Sequence, residues 1–356
     1  MQPHKFLAPY GYRTGHPHCE EPKRKTERFG RPPSIPGGPP AIIVAMTRYS
    51  RREAIAASAL ALFTRRLSAM PLADIKLGII LDEISDDVPT AAAFLKDHGL
   101  RWAEVRNIWG KYNTEQPIER VREAQKIMDE NGIAVSVEAT GFFKITLPPE
   151  TPEGQQKIDA QWALLDRSME RAKAFGTQKL RIFSFMLRAG EQPSAASYAR
   201  IDELLREAAR RAKKQNMILA IENIGGGHIA TGAQAGELLK RVKEDNLGIN
   251  WDPNNAAESG EKSFPDGYRH LDVARIFHVH LRDFVHNSAG KVDWAPVGAG
   301  EMDNLGQIRA LRKDGYHGSY TLETHWKDPK YKGDPKQPMH STETSLAGLL
   351  KVIEKV

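Results

Sequence analysis

The sequence predicts a parallel (β/α)8 barrel, and three observations carry that prediction. Eight short apolar runs lie between residues 75 and 323. The segments between them repeat apolar positions every three or four residues and turn charge to the opposite face, the pattern of helices covering a sheet. The body that starts at Asp74 is close in length to such a barrel, for which ~250 residues is typical.

The units follow one another regularly. "IKLGIIL" (75–81), "RWAEVR" (101–106) and "IAVSVE" (133–138) read as strands one to three, with "PIERVREAQKIMDENG" as the helix before the third. "KLRIFSF" (179–185) is the fourth strand, and "ARIDELLREAARRAKKQN" the helix after it. "MILAIE" (217–222), "LGINW" (247–251), "IFHVHL" (276–281) and "SYTLE" (319–323) complete the set. Asn131-Gly132, Gly176, Asn216, Asn246 and Gly315 stand where helices should end. An open doubly wound sheet is the rival, and it would want a glycine-rich phosphate turn after the first strand. "DEISDD" at that place has no glycine, and "NIGGGHIATG" after the fifth strand lacks the G-x-G-x-x-G spacing.

Composition narrows the chemistry. Of 51 Lys/Arg and 45 Asp/Glu, residues 1–73 hold 12 and 4, which leaves 39 basic against 41 acidic residues in the body. The body is therefore near neutral and offers no electrostatic attraction to nucleic acid. The single cysteine, Cys19, lies in the basic leader, so thiolate metal sites, disulfides and cysteine nucleophiles are excluded from the body. Any metal there must be held by oxygen and nitrogen, which points to Mg, Mn, Co or Zn.

Three domains are expected: 1–45, 46–73 and 74–356. Residues 1–45, rich in Pro, Gly, Lys and Arg, read as a disordered or untranslated extension, with Met46 a plausible start. In residues 46–73, Arg51-Arg52 precedes an apolar run from Ala54 to Phe63. That run is shorter than the ~20 apolar residues a bilayer span takes. Ser50-Arg51-Arg52 resembles the twin-arginine export signal, which implies a protein exported folded to the periplasm. The alternative is an amphipathic or buried helix of a cytoplasmic protein. No other stretch could span a membrane.

In a parallel barrel the chemistry lies at the carboxyl ends of the strands. Strand five ends in Glu222 and Asn223, strand six leads to Asp252 and Asn255, strand seven carries His280, and strand eight ends in Glu323. Neighbouring strands can bring Glu222, Asp252, His280 and Glu323 to one point. Three carboxylates and an imidazole form a ligand set for one divalent metal ion, and without a cation they would repel one another. His278 faces the same way one layer deeper and reads as an orienting residue, whereas Arg282 can reach substrate or a ligand carboxylate. Arg106 and Trp109, Glu138 and Phe142, Arg181 and Phe185, and Trp326 follow other strands and could shape a pocket.

"IEN", "WDPNN", "HVHLRD", "VGAGEMD" and "GYHGSYTLE" together resemble the xylose isomerase-like TIM-barrel family of sugar phosphate isomerases and epimerases. The resemblance covers most of residues 75–354. It implies a TIM barrel whose metal ligands are Glu222, Asp252, His280 and Glu323, with Mn the favoured ion. It further implies that Glu222 and Glu323 are the acid/base pair of an isomerase or epimerase. Ile224, Asn255 and His286 depart from residues common in the family or in its tagatose epimerase branch.

The expected function is thus proton transfer next to a carbonyl of a sugar or related polyol, through a metal-stabilised enediolate and two glutamates. Arg282, Asn223 and Asn255 would hold substrate, Trp109 and Trp326 would stack on it, and His278 and Asp283 would support the ligands. A lyase or dehydratase acting on a keto-inositol or keto-sugar is the alternative on the same site. A phosphodiesterase would want more histidines and a basic surface, and a non-enzymatic sugar-binding barrel would not need the glutamates.

Overall fold

The structure, a computed structural model, describes residues 75–356. The extension of residues 1–45 and the export-signal reading of residues 46–73 lie outside the described residues.

In chain order the strands are β1 (Lys76–Ile80), β2 (Trp102–Val105), β3 (Asn107–Ile108), β4 (Lys111–Tyr112), β5 (Ala134–Ala139) and β6 (Lys179–Ile182). They continue as β7 (Ile218–Glu222), β8 (Leu247–Trp251), β9 (Ile276–Leu281), β10 (Asp283–His286), β11 (Val292–Ala295) and β12 (Ser319–Leu322). Eight of them close into a parallel barrel in the order β1-β12-β9-β8-β7-β6-β5-β2. Each of the eight apolar runs in the sequence supplies one barrel strand, and the open-sheet alternative is excluded by the closure. Two antiparallel hairpins, β3/β4 and β10/β11, were not legible in the apolar pattern.

Register sorts the side chains into two shells. Ala103, Ile79, Leu322 and Leu281 share a row, are almost fully buried, and belong to the outer face that the helices cover. The opposite face, turned inward, carries Glu104 and the row of Asn250, His278 and Ser319, all buried. Barrel interiors are usually filled with bulky branched residues, so an inner layer of this polarity requires its groups to satisfy one another.

Local chemistry starts and stops the helices. Thr151 caps the helix Pro152–Ala174 by accepting from Gly154 N–H, with Pro152 at the first helical position. Ser194 and Thr231 open Ala195–Lys213 and Gly232–Arg241 with reciprocal capping boxes. Gly176 and Gly315 end their helices at φ +69° and +91°, a region where a Cβ would be strained. The last helix, Gln337–Ile353, begins earlier than the Pro/Lys-rich composition of residues 325–343 suggests, because proline is tolerated in a first turn. Among the described residues, no helix is long and apolar enough to cross a membrane.

Candidate active site

The carboxyl ends of β7, β8, β9 and β12 bring Glu222, Asp252, His280 and Glu323 together: one ligand-type atom from each lies within 4.8 Å of the others. Their exposures are 5%, 0%, 0% and 4%, so the cluster is buried. His280 Nδ1 is 3.2 Å from Glu323 Oε2, 3.7 Å from Glu222 Oε1 and 3.8 Å from Asp252 Oδ2. Asp252 also caps the helix Pro253–Glu258, its Oδ1 accepting from Asn254 and Asn255 N–H at 2.9 Å each. That double task fixes the carboxylate plane.

Each carboxylate has an arginine beside it. Arg181 Nε is 3.2 Å from Glu222, Arg282 donates to Asp252 Oδ2 at 2.5 Å, and Arg106 donates to Glu323 Oε1 at 3.0 Å. Arg106 is itself held by Asp82 and Glu83 at the end of β1. Among the buried atoms that nevertheless lack a hydrogen-bond partner are His280 Nδ1 and Glu323 Oε2, which face each other. A buried lone pair left unmatched costs about 1–3 kcal/mol, and a divalent cation at this point would satisfy both. The mixed oxygen and nitrogen donor set therefore fits Mg, Mn, Co or Zn.

The two glutamates are pushed apart in acidity. Burial raises Glu222 above the usual carboxylate range, against the pull of Arg181 and His280. Burial acts the same way on Glu323, but the charges of His325, Arg282 and His280 overcome it and hold that carboxyl well below the usual range.

The remaining residues singled out in the sequence take several places. Asn255 donates from Nδ2 to Glu222 Oε1 at 3.2 Å and to Asp252 Oδ2 at 3.0 Å, and accepts from Arg282 at 2.7 Å. Asn223 joins the ends of β7 and β8 through Asp252 N–H and C=O, each at 2.8 Å. Asp283 gathers the 297–303 loop by accepting from Gly298, Gly300 and Met302 N–H. His278 is buried below His280, bonded to Ser319 and Glu104. Trp109 and Trp326 are half-buried, and Trp109 lies under the Arg120 guanidinium at 3.5 Å. Neither lines the cavity described next. Glu138 shares the register row of Val105 and Leu180, the face turned away from Glu104 and Arg181, so it points out of the barrel and not into a pocket. Burial there pushes its carboxyl up to about 8.

A cavity of about 590 Å³ opens beside the cluster, lined by Gln192, Gly226, Asn255, Arg282, Trp294 and His325. Trp294, on the β10/β11 hairpin, covers the Arg282 guanidinium at 4.5 Å and meets His325 edge-on at 5.3 Å. His325 occupies left-handed backbone at φ +47° and is held by Arg282 at 2.6 Å and Glu323 at 3.1 Å. Trp294, Glu83 and Glu104 were missed by sequence reasoning. The one signal for Glu104 was a carboxylate inside an otherwise apolar strand, and for Trp294 the alternation "VDWA" after the turn residues "NSAG".

Fold and site together define a parallel barrel with a buried, cation-type donor set at its carboxyl mouth. The chain belongs to the xylose isomerase-like TIM-barrel family, whose model matches residues 92–351. Solved structures share the fold at low identity. One is an IolI protein with a bound zinc atom (TM-score 0.64, 16% identity, 79% of this chain and 99% of that one). Another is D-psicose 3-epimerase in the presence of D-fructose (TM-score 0.61, 18% identity, 79% and 100%). A third is 3-keto-D-glucoside 4-epimerase YcjR from E. coli (TM-score 0.59, 16% identity, 78% and 99%). No curated protein sequence matches the chain significantly.

Proposed function

We propose that this protein is a divalent-cation-dependent isomerase or epimerase of an uncharged sugar or related polyol. The observation that carries this reading is the convergence of His280 Nδ1 with carboxylate oxygens of Glu222, Asp252 and Glu323 in one buried cluster. The zinc of the IolI protein and the sugar substrates of the two epimerases point the same way.

A divalent cation bound there would act as a Lewis acid on a ketose carbonyl and ease proton loss from the neighbouring carbon. The chain supplies the rest. Glu222 and Glu323 belong to the cluster; one removes the proton and the other returns it, their roles exchanging with the direction of reaction. Arg282 and Asn255 line the cavity and orient hydroxyls, and Trp294 offers an aromatic face to a sugar. The three site arginines are already committed to carboxylates, which favours an uncharged substrate over a phosphate or acid.

Cation-stripped protein resupplied with Mn, Mg, Co or Zn and offered a panel of ketoses in deuterium oxide is expected to incorporate solvent deuterium next to the carbonyl. No exchange with any ketose and cation would defeat the reading. Release of water with a dicarbonyl product would move it to the dehydratase alternative. Asp252→Asn keeps an acceptor for the helix cap but loses the charge. It is expected to stay folded, since Arg282 keeps Glu323 at 3.7 Å and Asn255 at 2.7 Å as partners, and to bind the cation at least ~10-fold more weakly, a loss of the size that even indirect ligand supports produce. Titration calorimetry reads that affinity.

A further inference from the structure

Beneath the cluster, the barrel interior holds polar contacts that the proposed reaction does not use. Glu104 on β2 is 0% exposed, and its Oε2 lies 2.9 Å from His280 Nε2 and 3.0 Å from His278 Nε2. His278 Nδ1 is in turn 2.7 Å from Ser319 Oγ, with Lys179 Nζ 3.4 Å further on. The other Glu104 oxygen faces Arg181 Nε at 3.8 Å, the same nitrogen that lies 3.2 Å from Glu222. One carboxylate thus touches the imidazole of the candidate cation site and the arginine that steadies one of its glutamates.

The imidazole can present Nδ1 as a lone pair only if its proton is on Nε2. Two neighbours compete over Nε2. Glu104 requires an N–H there, whereas the Asn250 amide nitrogen, 3.1 Å away, would require a lone pair. A charged acceptor outweighs a neutral donor, since charge-assisted hydrogen bonds are roughly twice as strong as neutral ones. A lone pair facing the carboxylate would also repel it. A half-turn of the Asn250 side chain brings its unpartnered Oδ1 to the same N–H.

We propose that Glu104 is a positioning residue: it fixes the Nε2–H form of His280 and so aims Nδ1 at Glu222, Asp252 and Glu323. The consequence for catalysis rests on the function proposed above; the proton's position does not.

Long-range proton–nitrogen NMR of the full chain labelled at histidine, metal-free and titrated with zinc, tests this directly. A proton on His280 Nε2 is expected in both states, and a His280 protonated on Nδ1 alone overturns the proposal. In parallel, Glu104→Gln keeps an acceptor oxygen and should retain that proton, with Mn affinity reduced less than ~10-fold. Glu104→Leu leaves only the neutral Asn250 amide beside Nε2, so the proton should distribute over both ring nitrogens and Mn binding should weaken ~10–100-fold. Affinity within twofold of wild type for a folded Glu104→Leu protein overturns the proposal. If that variant does not fold, the wild-type proton position and the Gln variant still decide. Wild-type protein that binds no divalent cation would sink the proposed function, while the NMR result would still judge Glu104.

Discussion

Glu222→Gln, assayed at saturating cation so that occupancy stays near that of the wild type, is expected to lower deuterium exchange by ~10²–10⁴-fold, the usual contribution of a positioned acid/base group. The amide is isosteric and retains an oxygen toward the cluster, and three other donors remain. What disappears is the ability to take and return a proton. Arg181 loses its anionic partner at 3.2 Å, yet Glu104 lies 3.8 Å from the same nitrogen, so the guanidinium is not stranded. Exchange rates and metal content measured on one sample separate the outcomes. Undiminished exchange would remove Glu222 from the chemistry, and a parallel loss of metal would recast it as a ligand alone.

Arg282→Met should carry the largest cost in stability. The guanidinium is 2% exposed, donates to Asp252 at 2.5 Å and to Asn255 at 2.7 Å, and meets His325 Nδ1 at 2.6 Å. Methionine fills similar volume and still packs under Trp294, but it leaves the fully buried Asp252 charge without its nearest cation. Removing one partner of a buried pair costs about 3–5 kcal/mol. A divalent cation offers replacement charge at the same cluster, and it binds more tightly where the Arg282 charge no longer repels it, so the variant gains more from the cation than the wild type does. The loss of melting temperature should therefore be large without Mn and smaller with it. A variant that melts with the wild type in metal-free buffer would show that Asp252 does not depend on Arg282.

The barrel was legible because its cues are local. Apolar runs such as "MILAIE", helical spacing in "ARIDELLREAARRAKKQN" and glycine at helix ends are each settled within a few residues. The four-residue cluster was legible for a related reason: Glu222, Asp252, His280 and Glu323 each stand within one residue of a strand end, and the barrel sends all such ends to one rim. The hairpin bearing Trp294 was not, since four-residue strands with mixed polarity give little periodic signal. Trp109 and Trp326 show the converse: an aromatic after a strand is easy to see, but its direction is set by the loop.

The chain by itself determined the order of strands and helices, the oxygen and nitrogen character of any metal site, and which side chains reach the mouth. Only the closed barrel decided the partnerships. Arg106 meets Glu323 across 217 residues, and Glu104 meets His280 across 176. No spacing along the sequence encodes such contacts, because they depend on the register in which the strands lie side by side and on which face of each strand turns inward.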